Sequence, residues 1–145
     1  MVNVQTKTII NRPVKEVSLY AANPDHAPEW YVNIKSVVWK TKPPLSVGSE
    51  IAFEAHFLGR KLSYTYVISE YIPHEKLVMR TAEGPFPMET TYKWRAIDLD
   101  STEMKLRNQG SPRGFSKIMA PFMTLAMRRA NKKDLKLLKE ILEKS

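Results

Sequence analysis

Apolar residues repeat along this chain with two different periods, and the changes between them mark out its elements. Val2, Val4, Thr6, Thr8 and Ile10 alternate with Asn3, Gln5, Lys7 and Ile9, the two-residue period of a strand with one sheltered face. Asn11-Arg12-Pro13 turns the chain. Val14, Val17, Leu19 and Tyr20 follow at near-helical spacing, which predicts a short helix to about Ala22 with proline in its first turn. Asn23-Pro24-Asp25 ends it, and the Asp25 side chain can cap a second short helix carrying Trp30, Tyr31 and Ile34.

From Ser36 to Gln109 the period returns to two. Val37 and Trp39 give a strand, and Lys42-Pro43-Pro44 ends it. Ile51 to Phe57, Leu62 to Tyr71, Leu77 to Thr81, Met88 to Ala96 and Met104 to Asn108 give the rest, with Gly- and Pro-containing turns between most of them. The alternation is clearest from Met88 to Ala96. It is ambiguous from Leu62 to Tyr71, where Tyr64, Tyr66 and Ile68 oppose Val67 and Tyr71, so the facing of that strand stays open. Short connections between consecutive strands predict an antiparallel sheet.

Ser111 to Ser145 reads as one long amphipathic helix. Phe115, Ile118, Met119, Phe122, Met123, Ala126, Ala130, Leu137 and Ile141 recur at steps of three and four and form the expected inward stripe. Pro121 lies inside the pattern and predicts a kink near residues 117 to 121. A sheet with one apolar face and a helix with one apolar stripe imply an α+β fold in which a curved antiparallel sheet of about seven strands wraps round the C-terminal helix.

Composition narrows the functional classes. The 145 residues make one domain, 1–145, able to bury a core without staples. With no cysteine, disulfides, thiolate metal sites and a cysteine nucleophile are excluded. No apolar run approaches a membrane span and the N-terminus lacks a secretory pattern, so a cytoplasmic protein is expected. Of the formal charge of +8, the chain from Arg113 onward carries +6, with nine Lys or Arg against three Asp or Glu. A basic helix can meet nucleic acid, anionic lipid or an acidic partner, but a solvated outer face accounts for it, since the stripe is committed to the interior. No RNA-recognition or helix-turn-helix pattern accompanies the charge, and no nucleic-acid partner is expected.

Several marks of order and spacing resemble a known group. They are Asn11-Arg12-Pro13-Val14-Lys15-Glu16-Val17 after the first strand, Asn23-Pro24 through Pro28-Glu29-Trp30, and Val47-Gly48. Ser69-Glu70-Tyr71-Ile72-Pro73 leading to Leu77-Val78, Thr91-Tyr92-Lys93-Trp94 and Ala120-Pro121 continue the series. Across nearly the whole chain the sequence resembles the polyketide cyclase/dehydrase and START-like (SRPBCC) superfamily, the helix-grip group that includes birch-pollen-type allergens and lipid-transfer domains. The resemblance implies an apolar cavity between sheet and helix, closed at one end by the two short helices and nearby loops.

An unfilled cavity of about 300 Å³ would cost on the order of 7 kcal/mol, so such a space is collapsed, wet or there for a ligand. The expected lining is Phe53, Met79, Met88, Thr90, Tyr92, Phe115, Met119, Phe122 and Met123, with Trp30 and Tyr31 near an entrance. Methionine adapts to varied shapes and aromatic rings give broad contact, although the same residues also serve simply as core. Thr90, Tyr92 and Asn108 share parity with the apolar faces of their strands and can orient a carbonyl or hydroxyl of a guest, or bond to one another.

Enzyme signatures are thin. His26, His56 and His74 are isolated and none has the spacing of a helical zinc site, so no metal and no cofactor is expected. No inward carboxylate pair, phosphate loop or activated serine is present. The preferred reading is binding of a small hydrophobic or amphipathic molecule, lipid-like, polyketide-like or aromatic. A cyclase or dehydratase using Tyr92 or Asn108 is the second reading, and a membrane-surface or protein-interaction module using the basic helix is the third. Oligomeric state is not encoded in these patterns.

Overall fold

The computed structural model describes residues 2–84, 87–110 and 120–144. Alternating burial along Val2–Ile10 makes β1, whose even-numbered side chains turn inward from Val2 to Thr6. Two short helices follow, α1 (Val14–Ala22) and α2 (Ala27–Trp30), joined by a single 3-10 turn at Pro24–His26. The cap of that turn is Asn23, whose side chain accepts the Asp25 amide at 3.0 Å, where Asp25 was the expected cap. Strands β2 (Ile34–Trp39), β3 (Glu50–Phe57), β4 (Arg60–Ile72), β5 (Lys76–Glu83), β6 (Met88–Asp98) and β7 (Ser101–Gly110) then form successive hairpins. The C-terminal helix α3 spans Ala120–Lys144.

The sheet order is β1-β7-β6-β5-β4-β3-β2, antiparallel throughout. Five hairpins place β2 to β7 in sequence, and β1 returns to the free edge of β7, from Val2 opposite Gly110 to Ile10 opposite Thr102. The curled sheet holds α3 on its concave side, the α+β helix-grip arrangement. The ambiguous facing of β4 has a local cause. A register shift between Ile68 and Glu70 inserts Ser69 as an extra residue, so Tyr64, Tyr66 and Ile68 face inward before it and Tyr71 after it. Both parities are apolar because the strand changes parity.

The helix meets the sheet on a different stripe from the one the apolar residues alone predict. Met123, Met127, Asn131, Asp134, Leu135, Leu138 and Leu142 are the buried positions. Phe122, expected inward, is 63% exposed. Ala126, Ala130, Leu137 and Ile141 lie at the part-buried margins. Phe115, Ile118 and Met119, with most of the expected kink, fall outside the described residues.

Among the described residues two clusters make the core. The larger one gathers Ile10, Val17, Trp30, Leu77, Trp94 and Leu106 with the C-terminal half of α3, including Leu135, Leu138 and Leu142. The smaller one joins Val2, Val4, Met88, Met123 and Met127 at the other end of the sheet. Between them the packing is incomplete, and that gap is the site.

Candidate functional site

Helix α3 packs along β1 on the concave side, and the space between its N-terminal half and strands β3 to β7 is a cavity of about 140 Å³. Such a volume is close to that of an engineered apolar cavity that binds benzene, and is smaller than the 300 Å³ considered from sequence. Phe53, Met79, Met88 and Met123 line it, together with Tyr31, Thr90, Tyr92 and Asn108. Trp30 is fully buried in the main core and stands behind the lining, its ring 4.1 Å from that of Tyr31 and 5.7 Å from that of Tyr92. Phe122 does not reach the cavity, and Phe115 and Met119 lie outside the described residues.

The structure adds lining residues that the pattern did not single out, notably Phe57, Tyr64 and Tyr66 from β3 and β4, and Met127, Asn131 and Asp134 from α3. Tyr64 comes close because Gly84 opposite it has no side chain. A Cβ there would stand 2.6 Å from the tyrosine ring. Asn131 and Asp134 carried a usable signal. Met123, Met127, Asn131, Asp134, Leu138 and Leu142 run at steps of three and four, so two polar residues occupy a helical stripe that is otherwise apolar.

Those two residues complete a buried polar chain. The Thr90 hydroxyl donates to Asn108 Oδ1 at 2.6 Å, and Asn108 Nδ2 donates to Asn131 Oδ1 at 3.0 Å. The Asn131 side chain lies beside Asp134, whose Oδ1 accepts the Val32 amide at 2.9 Å. At the other end, the Tyr66 hydroxyl lies beside Thr90. A second pair, the hydroxyls of Tyr31 and Tyr92, bond directly to each other. Buried polar groups are stable when each finds a partner, and here the partners run from sheet to helix across the cavity wall.

Burial sets the ionisation of these groups. It pushes the Asp134 carboxyl up to about 6, against the opposing pull of the Val32 amide and Asn131. It pushes Tyr66 up to about 12 and raises Tyr31 and Tyr92 well above the ordinary phenol value. The tyrosines are therefore neutral hydroxyls at neutral pH, able to donate or accept, while Asp134 titrates within reach of it. The cavity thus has an apolar body and a hydrogen-bonding rim.

The histidines stand apart. His26 stacks on Tyr20 with centroids 4.2 Å apart, His74 Nδ1 lies 2.9 Å from the Ser18 hydroxyl, and His56 is exposed. Among the described residues no cluster of three or more His, Asp or Glu is placed to hold a metal ion. No described helix is long and apolar enough to cross a membrane.

Comparison with known proteins agrees with this architecture. A START superfamily protein from Mycobacterium smegmatis superposes with a TM-score of 0.85 at 12% identity, covering 98% of this chain and 97% of its own. A protein from Thermus thermophilus gives 0.84 at 17% identity, covering 99% of each chain. The Zhui aromatase/cyclase from a Streptomyces species gives 0.82 at 13% identity, covering 97% of this chain and 93% of its own. At such identities the likeness is one of fold. Among curated proteins no relative matches the sequence. The family described as polyketide cyclase / dehydrase and lipid transport matches residues 1–143. Since that match takes in all but the last two residues of a 145-residue chain, the chain belongs to this family.

Proposed function

We propose that the protein binds a small, mainly apolar molecule about the size of a single aromatic ring, bearing a carbonyl or hydroxyl, in the cavity between the sheet and α3. One observation carries the reading. An apolar space of about 140 Å³ is bordered by the hydrogen-bonded chain Thr90–Asn108–Asn131, by Asp134 beside it, and by the Tyr31–Tyr92 hydroxyl pair. Sites of this kind take orientation from a few polar groups and affinity from the apolar walls.

The test is a thermal-shift and calorimetric comparison of benzene, phenol and acetophenone, together with native mass spectrometry of protein taken directly from cells. Phenol or acetophenone is expected to bind more tightly than benzene. At a ligand concentration of about 100 times Kd, binding adds about 2.7 kcal/mol to stability. Replacing both hydrogen-bonding side chains in Thr90→Val/Asn108→Leu is expected to remove the preference. Protein that arrives without a guest and binds none of the three would overturn the reading.

A second reading is favoured by Asp134, pushed up to about 6 beside neutral tyrosine hydroxyls. A group poised near the working pH suits proton transfer, which supports a cyclase or dehydratase acting on a polyketide-like substrate. Turnover with an inflection near the Asp134 value of about 6 that disappears in Asp134→Asn would support it. Binding without turnover would leave the first reading.

A further inference from the structure

The outer face of the sheet, away from the cavity, carries a charge pattern that packing does not call for. Lys7 on β1 pairs in register with Lys105 on β7, Lys105 with Lys93 on β6, and Lys93 with Lys76 on β5. All four lie on the outward parity, so the lysines form one row across four adjacent strands, spanning about 14 Å at about 4.8 Å per strand. Like charges directly opposite one another destabilise a sheet. Counter-charge reaches only part of the row: Lys76 meets Glu70 at 3.2 Å and Lys105 meets Glu103 at 3.8 Å, a carboxylate already shared with Arg95 at 3.5 Å. Among the described residues, Lys7 and Lys93 have no carboxylate within 4.0 Å.

The row runs into a concave surface. Lys76, Lys93 and Lys105 share a groove of about 390 Å³ with Arg80 and Arg107. We propose that this groove docks an acidic helical segment of a partner protein, with its carboxylates laid along the lysine row. An acidic helix offers a carboxylate once per turn, about every 5.4 Å, close to the step between strands. Three features select this occupant. The outward positions of β1, β5, β6 and β7 carry no aromatic ring on which nucleic-acid bases could stack. A planar lipid surface cannot follow a groove. Glu70 and Glu89 inside the groove oppose an unbroken phosphate chain, but tolerate a partner whose charges are spaced. This inference does not depend on what the inner cavity holds.

The experiment uses a fluorescein-labelled helical peptide with glutamate once per turn, titrated by anisotropy at low and at physiological ionic strength. The wild-type chain is expected to bind at low ionic strength and more weakly as salt rises. Lys93→Gln/Lys105→Gln is expected to weaken binding about tenfold or more, while Lys132→Gln/Lys133→Gln, on the exposed face of α3, is expected to leave it unchanged. The ladder variant is also expected to unfold at higher urea, because opposed like charges have been removed, so lost binding cannot be mistaken for lost folding. Equal loss in the two double variants, or no binding by wild type, would overturn the proposal. So would tighter, ladder-dependent binding of a single-stranded oligonucleotide or of phosphatidylglycerol vesicles.

Discussion

Asp134 is 2% exposed, accepts the Val32 amide at 2.9 Å, and lies on a stripe whose other members include methionines and leucines. Burial holds its pKa at about 6 against an ordinary 3.8, a difference worth about 3 kcal/mol. Because the folded value is raised, the stabilising contribution of the protonated form is complete below 3.8 and is lost as pH rises through about 6. Asp134→Asn removes that dependence. The stability difference between wild type and variant, measured by urea unfolding, is expected to shift by about 3 kcal/mol in favour of the variant from the acid to the neutral side. Parallel curves would refute the assignment. Thr90 allows a second test: Thr90→Val leaves Asn108 Oδ1 without its donor and is expected to cost about 1–3 kcal/mol, read in the same unfolding assay. These residues mark how far the pattern could be read. Thr90 and Asn108 are legible because strand parity is strict, whereas Asn131 and Asp134 are polar members of an otherwise apolar helical stripe, and an apolar pattern gives them no weight.

At the scale of elements, the register of α3 separates two neighbours. Phe122 is 63% exposed and Met123 is 2% exposed, so side-chain size says nothing about which one packs. Phe122→Asp is expected to leave folding and small-aromatic binding intact, while Met123→Ala is expected to cost about 2–5 kcal/mol. The reverse order in thermal unfolding would restore the stripe through Phe122. The far end of the helix is tied to the start of the chain. Glu143 Oε2 accepts the Asn11 amide at 2.8 Å and Lys139 Nζ at 2.6 Å, and Arg12 Nη2 donates to the Glu143 carbonyl at 2.6 Å. The Asn11 amide bond does most to lower the Glu143 pKa, so its contribution is present above the ordinary carboxylate value and lost as pH falls through the depressed one. Glu143→Gln should raise amide exchange in the last turn of α3 under neutral conditions and much less in acid. Strands are the most legible elements, since most are bounded by turn residues. The bulge at Ser69 was hidden because a one-residue slip looks, in sequence, like a strand apolar on both faces.

For the whole molecule the governing quantity is the space that the fold leaves unfilled. Pairing of β1 with β7 and of β7 with β6 fixes the curl of the sheet over which α3 lies, and the two core clusters anchor opposite ends of the concave face. Closing the 140 Å³ between them with side chains would return about 3 kcal/mol, a sizeable share of the roughly 5–15 kcal/mol typical of a domain. A sequence can show that methionines and tyrosines face one another, but it cannot show whether they touch, because the gap depends on the tilt of α3 and the curl of the sheet. Ala130 lies on the cavity wall with a part-buried side chain, so Ala130→Leu extends into the gap without entering the sheet. If the space exists to hold a guest, this variant should gain about 1–2 kcal/mol, raising Tm by about 2–8 °C, and should lose at least tenfold in affinity for acetophenone or phenol. A gain in stability with unchanged binding would place the guest elsewhere, and a loss of stability would mean that the wall cannot accept the added methyl groups.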